Sequence, residues 1–337
     1  MSSQKSKFIS VKSVTIPYVE FVKKFSTEYK ARKYFENLRW TDGVVCPFCG
    51  CKHVYDQVRD GKKGYYRCSK CNETFTVRTG TILERSHVPM MKWLYAFYKV
   101  ITSRKGLSSI QLALDIGVTQ KTAWFMLQRV RFACGDNVVD ADKMLKGIVE
   151  ADAAYFGGKE KSKHEWKKLH KGRGAVGKVA VLGAKERGGR VSAKVILDTG
   201  KKAVHKVLKS MIDKDATLMT DEHKSYESVP FKDHKVVHHA LKEFVNEMAY
   251  TNGIESVWAV LKRGWIGVYH HFSPKHLQLY VNEFCFRFNE GNCSLKLEDR
   301  IESMSGFVLG KSHYSYKMLL DREGSNMLMR VWSLPIF

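Results

Sequence analysis

Two Cys-x-x-Cys pairs constrain this chain more than anything else in it. Cys46-Pro-Phe-Cys49 and Cys68-Ser-Lys-Cys71 are separated by 18 residues. At this spacing two knuckles joined by a hairpin can gather four thiolates around one tetrahedral Zn²⁺. Gly50 follows the first pair and Asn72 the second. Both residue types tolerate the left-handed backbone that turns amides toward ligating sulfurs. Cys51 is a fifth thiol in the stretch, but the pair register favours Cys49. Five of the eight cysteines lie between Cys46 and Cys71, which reads as metal ligation in a reducing compartment rather than a disulfide framework. A segment this short cannot bury a core of its own, so the metal must hold it together. One structural Zn²⁺ per chain, on Cys46, Cys49, Cys68 and Cys71, is the expectation.

The remaining composition belongs to a globular protein with one outlying property. Apolar residues make up 44% of 337 and charged residues 27%, yet 57 Lys+Arg against 34 Asp+Glu leave a net charge of +23. An excess of that size points to a polyanion, because neutralising phosphates releases their counterions. Double-stranded DNA is the expected partner. No apolar run is long enough to span a membrane, and Met1–Val14 lacks the apolar core of a secretory signal. A cytoplasmic, nucleoid-associated location follows as an expectation.

Hydrophobic periodicity divides the chain into five stretches. Residues 1–40 read as a helical lead-in and 41–85 as the zinc ribbon. Residues 86–140 carry three helical patterns, MMKWLYAFYKVI, LSSIQLALDIG and TQKTAWFMLQRVRFAC, punctuated by Gly106 and Gly117. The last two fit a helix-turn-helix. Leu107, Ile110, Leu112, Leu114 and Ile116 supply its apolar positions, and Val118 plugs its core. Thr119 is the N-cap of a recognition helix opening on Gln120, Lys121 and Thr122. Arg129 and Arg131 remain for the DNA backbone. From 146 to 290 strands alternate with helices, as in an α/β domain with a mixed sheet. Residues 291–337 read as a C-terminal extension, and Lys159–Arg173 as a basic loop.

In so basic a chain, three acids at element ends stand out. Asp152 lies inside the apolar strand GIVEADAAYF, Asp221 ends ATLMTD, and Glu255 opens the helix NGIESVWAVLKRGW. Two strand carboxylates and one from a later helix can converge on a pair of Mg²⁺ ions, which prefer hard oxygen ligands and keep positions for phosphate oxygens. Each acid alone also fits a structural role. Asp152 suits a strand-end turn, Asp221 a helix start, and Glu255 a capping box with Asn252 as N-cap. Ile254, Val257, Trp258, Leu261 and Trp265 form one apolar stripe of that helix. Glu255 and Lys262 share its edge, a carboxylate for metal and a cation for DNA phosphate.

Taken together, CPFCG…CSKC, the helix-turn-helix, VEADAAYFGGKEK, LMTDEHKSY and TNGIESVWAVLKRGWIGVYHHFSPKHLQLYVNEFCFRFN resemble the bacterial insertion-sequence transposases with an N-terminal zinc ribbon and a DDE/N-K catalytic domain, relatives of the Merlin transposases. The resemblance covers residues 20–290. It implies a multidomain chain whose catalytic domain is RNase H-like, with Asp152 and Asp221 as the first metal ligands and Lys262 as the trailing lysine. The family's third position is Glu or Asn, and both are present, as Glu255 and Asn252. Glu255 is favoured because a carboxylate neutralises Mg²⁺ better than an amide. The implied activity is binding of terminal inverted repeats, then Mg²⁺-dependent cleavage and strand transfer by a homodimer or higher oligomer on DNA.

Overall fold

A computed structural model describes residues 17–59, 61–135, 144–158, 164–168, 175–237, 250–289, 297–310, 314–315 and 318–319. Two compact units account for them. The first comprises Met1–Thr102, Leu114–Val118 and Glu290–Tyr314, the second Ser103–Ala113, Thr119–Asn289 and Ser315–Phe337.

The first unit begins with helices α1 (Tyr18–Lys24) and α2 (Glu28–Arg39). Thr27 caps α2 by accepting the Lys30 amide. An antiparallel meander follows, β1 (Val54–Arg59), β2 (Lys62–Cys68) and β3 (Thr74–Phe75). Trp40, Tyr66 and Phe75 pack edge-on and stacked beside the cysteines. Helix α3 (Met90–Thr102) buries Trp93, Leu94, Phe97 and Val100 at helical spacing. The Glu28 carboxylate receives the amides of Met90 and Met91 at its start, where an anion suits the unpaired N–H groups. Residues 297–310, read from sequence only as part of an extension, form helix α9 (Leu297–Gly310), which packs against α2 and α3. Ile301, Met304 and Val308 are buried there, and the Arg300 guanidinium donates to the Ile101 carbonyl.

Helices α4 (Ser109–Ile116) and α5 (Gln120–Ala133) are joined by a turn in which Gly117 has φ +59°. Thr119 caps α5 by accepting the Thr122 amide. Ile110 and Leu114, read as apolar positions of the helix-turn-helix, are 63% and 75% exposed, and Leu112, Ala113 and Ile116 carry the burial of α4.

The second unit is built on one five-stranded sheet. Its strands are β4 (Ile148–Phe156), β5 (Val179–Glu186), β6 (Val191–Ile196), β7 (Thr217–Asp221) and β8 (Asp233–Val237), in the order β6-β5-β4-β7-β8. The first three are antiparallel neighbours; β7 runs parallel to β4, and β8 to β7. A short turn through Gly188 (φ +69°) joins β5 to β6. Reaching the parallel β7 needs a crossover, which helix α6 (Lys201–Lys209) supplies. The period-two pattern of the strands fills both faces. Val149, Ala151 and Leu182 pack with Val204 and Leu208 of α6. Ala154, Phe156 and Val181 pack with α7 (Asn252–Gly264) and α8 (Leu277–Asn289) through Ile254, Val257, Trp258 and Val281.

Helix α5 packs against α8, and this corrects two expectations. Arg131 is 1% exposed, with its Nε 2.7 Å from the Glu283 carboxylate. Its guanidinium lies over the rings of Tyr280 and Tyr269. Arg129 is 4% exposed and stacks on Phe125. Neither side chain is available to a DNA backbone. A buried guanidinium must be paired, and Glu283 pairs Arg131 from a helix too distant in sequence for periodicity to reveal. Among the described residues no helix is long and apolar enough to cross a membrane. Residues 1–16, 320–337 and most of the basic run 159–173 lie outside the described residues.

Candidate functional site

Four thiols converge in the first unit. The sulfurs of Cys46, Cys49, Cys68 and Cys71 lie within 4.8 Å of one another. Cys46 Sγ is 3.6 Å from Cys71 Sγ, and Cys49 Sγ is 3.5 Å from Cys68 Sγ. The edges of a Zn²⁺-centred sulfur tetrahedron with ~2.3 Å bonds are about 3.8 Å, so the donor set fits zinc. Gly50 (φ +72°) and Asn72 (φ +59°) adopt the left-handed backbone anticipated for the knuckles. Their amides donate to the Cys46 and Cys68 carbonyls. Backbone amides of Cys71 and Lys70 lower the Cys68 thiol to about 6 against the opposing effect of burial, whereas at Cys49 and Cys71 backbone hydrogen bonds are outweighed by burial and neighbouring thiols, which push those two up. Cys51 points elsewhere, toward the His53 carbonyl and Ser69.

The second unit assembles the acids. Strands β4 and β7 pair with Ile148 opposite Thr217, Val149 opposite Leu218 and Glu150 opposite Met219. The same offset separates Asp152 from Asp221, so the register sets them level on neighbouring strands. Asp152 Oδ1 accepts the Ala153 amide and Asp221 Oδ1 the His223 amide, at 2.7 and 3.2 Å. Glu255 lies in the first turn of α7, exposed, with the Thr251 hydroxyl donating to it at 3.4 Å. Burial raises the Asp152 carboxyl to about 6; the charges of Asp221 and Glu255 push the same way, against the Ala153 amide and the Trp258 indole. Among the described residues, neither Asp152 nor Asp221 forms an ion pair with a Lys or Arg. The three carboxylates are therefore near enough for the charges of Asp221 and Glu255 to act on Asp152.

Helix α7 departs from the expected capping box. Thr251 holds the N-cap position, Asn252 is the first helical residue and exposed, and Glu255 is the fourth, one place beyond a box partner. Thr251 makes no side-chain cap bond. Lys262 is exposed two turns after Glu255, on the same side of the helix. Between them Trp258, anticipated only as part of the apolar stripe, has a second role. A Cβ on Gly183 would stand 2.5 Å from its ring, and Gly183 is the β5 partner of Asp152. The glycine thus lets the indole lie on the sheet beside Asp152. Its buried N–H favours the ionised carboxylate without closing a hydrogen bond of ordinary geometry. Tyr226 was also missed. It is buried, and its phenol is raised first by burial and then by the charges of Asp152 and Asp221. Its position five residues after Asp221 was the available signal.

Of the residues anticipated for DNA contact, Gln120 and Lys121 are exposed at the start of α5, and Gln120 Nε2 donates to Ser109 Oγ. The Thr122 hydroxyl is 2.9 Å from that of Thr119.

Residues 144–289 match the ISXO2-like transposase domain, and residues 26–74 the transposase zinc-ribbon domain. A protein of Halobacterium salinarum (strain ATCC 700922 / JCM 11081 / NRC-1), described as an uncharacterized protein in transposable element ISH50, is 30% identical over 284 residues. The match covers 79% of this chain and 92% of that protein.

Proposed function

The chain belongs to the insertion-sequence transposases that carry an N-terminal zinc ribbon, and from that membership we propose that it cleaves and joins DNA through Asp152, Asp221 and Glu255. The observation that carries this reading is the strand register that sets Asp152 level with Asp221, together with a rise of the Asp152 carboxyl that comes first from burial and then from the charges of Asp221 and Glu255. A protein that only bound DNA would gain nothing from three acids facing its own phosphate partner. The central β4 flanked by antiparallel β5 and parallel β7 supports an RNase H-like reading of the sheet.

Asp152, Asp221 and Glu255 would hold two Mg²⁺ ions, with Asn252 the alternative third ligand. When bound, the metal supplies Lewis-acid stabilisation and an activated oxygen nucleophile for in-line phosphoryl transfer. The chain's own residues do the rest. The sheet fixes the two aspartates, α7 brings the third donor, and Lys262 offers a cation to a DNA phosphate. Zinc ribbon and helix-turn-helix, the latter through Gln120, Lys121 and Thr122, grip double-stranded element ends, with a homodimer or higher oligomer pairing two ends.

Cleavage and strand transfer on oligonucleotides bearing the element's terminal repeats test the reading. Asp152→Asn and Asp221→Asn abolish both steps and keep end binding. Losing one anionic ligand costs several kcal/mol of transition-state stabilisation, or orders of magnitude in rate. Either variant joining pre-cleaved ends at the wild-type rate refutes the assignment. A wild-type protein that cuts without joining is a nuclease, and one that binds without cutting is a regulator.

A further inference from the structure

A fourth acid stands two residues before Asp152 on the same face of β4. Glu150 is 1% exposed, and a buried carboxylate needs partners for both oxygens. Glu150 has them. Its Oε1 is 3.1 Å from Arg187 Nε, and its Oε2 accepts the backbone amide of Ile254 at 3.0 Å. Ile254 is the third residue of α7, and its amide is one that an N-cap side chain ordinarily satisfies. Thr251, in the N-cap position, makes no such bond. The acceptor comes instead from a strand 104 residues away in sequence.

Two further observations fit this arrangement. A Cβ on Gly253 would stand 2.5 Å from Glu150 Oε2. The glycine, otherwise costly in a helix, is what lets the carboxylate reach the helix end. Arg187, just beyond β5, also donates from Nη2 to the Tyr250 carbonyl at 3.1 Å, and its guanidinium lies 3.6 Å from the Tyr250 ring centre. One guanidinium therefore clamps both the capping carboxylate and the residue just before the N-cap.

We propose that Glu150 is a positioning residue: it replaces the missing N-cap of α7 from the strand that carries Asp152, and with Arg187 fixes Glu255 relative to Asp152. A local cap such as Ser or Asp at position 251 would stabilise the helix equally well, but it would leave the helix start untied to β4. The negative charge also lies where the helix dipole favours it. Both oxygens of Glu150 are engaged, so it is not itself a metal donor. The inference rests on the reading of Asp152, Asp221 and Glu255 as the metal-binding set.

The test uses full-length zinc-loaded protein carrying Glu150→Ala, Glu150→Gln, Arg187→Gln or Gly253→Ala. Three quantities are read: Mn²⁺ affinity by calorimetry with the metal alone, cleavage kcat and KM on end DNA, and hydrogen exchange of the α7 amides. Removing a group that orients a metal ligand typically costs about 10- to 100-fold in metal affinity or rate. Glu150→Ala weakens Mn²⁺ binding and lowers kcat by that order, with KM for DNA unchanged and the first turn of α7 exchanging faster. Glu150→Gln keeps an oxygen for the Ile254 amide and falls between wild type and Ala. Gly253→Ala reproduces the loss without removing any charge, and so serves if Glu150→Ala fails to fold. Combining Glu150→Gln with Arg187→Gln costs less than the product of the single effects, because the two act as one clamp. Folded variants with wild-type Mn²⁺ affinity and kcat overturn the proposal, whatever their thermal stability. Failure of the underlying reading is distinguishable, since it shows as activity in Asp152→Asn or Asp221→Asn.

Discussion

The two candidate sites of this molecule are built by opposite routes. In the ribbon, three short strands and a small aromatic cluster supply little core, and four sulfurs already at tetrahedral spacing mean that the ligand set closes the fold. In the sheet, the fold comes first. Two apolar faces, one against α6 and one against α7 and α8, hold Asp152 beside Asp221 against their mutual repulsion. The Asp152 carboxyl is raised first by its burial in that arrangement and further by the Asp221 and Glu255 charges. On the proposed reading, zinc is a structural strut of the ribbon, and the second site is a socket that the sheet builds before any metal binds.

If that contrast holds, zinc loss has the largest effect. Cys68→Ser, or chelation, unfolds residues 40–80, since structural zinc contributes about 10–16 kcal/mol in small zinc modules. End binding weakens, while the sheet of the second unit stays folded by circular dichroism and hydrogen exchange. Metal analysis of protein purified without added zinc gives about one equivalent. A ribbon that remains ordered without zinc breaks the comparison.

Asp221→Asn shows the converse. Cleavage falls by orders of magnitude, while the melting temperature without divalent metal does not fall, because like-charge repulsion is relieved. A large loss of stability in this variant would mean that the acids are structural.

The third effect is a pH dependence in the zinc-loaded protein without added Mg²⁺ or Mn²⁺. The Asp152 carboxyl rises from 3.8 to about 6 on folding, so between these values the folded state retains a proton that the unfolded state has lost. Stability therefore decreases as pH rises from about 4 to 6 and is level above, by at most about 3 kcal/mol from this group. Asp152→Asn removes that slope. Denaturant titrations of both proteins across pH 4–8 with EDTA-free, zinc-retaining buffers check it.

The smallest effect sharpens the third-ligand question. With Thr251 in the N-cap position, Asn252→Ala loses no cap and shifts stability by no more than about 0.5 kcal/mol. Activity close to wild type assigns the metal to Glu255. A dead, fully folded Asn252→Ala assigns it to Asn252.

Local signals were legible in the sequence wherever spacing alone fixes geometry. Two Cys-x-x-Cys pairs specify a tetrahedron, Gly50 and Asn72 specify left-handed turns, and alternating apolar residues placed β4 and β7 with an acid in each. What escaped depends on contacts between distant segments. Arg131 looked like a surface cation until Glu283 on α8 buried it. Asn252 looked like a cap because nothing local says that Glu150 supplies the acceptor from β4. Ile110 and Leu114 fit a helical stripe but lie on the exposed side of α4. Trp258 reads as one more apolar residue until Gly183 opens the sheet beneath it. Periodicity reports which face of an element is apolar and is silent on which polar group from elsewhere completes it.

The most direct measurement is anomalous diffraction from crystals of zinc-loaded protein soaked in Mn²⁺, with data collected on either side of each metal's absorption edge. The result expected is zinc at Cys46, Cys49, Cys68 and Cys71 alone, and manganese bound by Asp152, Asp221 and Glu255, lost in Asp221→Asn. Manganese absent from the three acids in well-ordered wild-type crystals, or bound only at other residues, would contradict the assignment of this sheet as a metal-dependent transposase site.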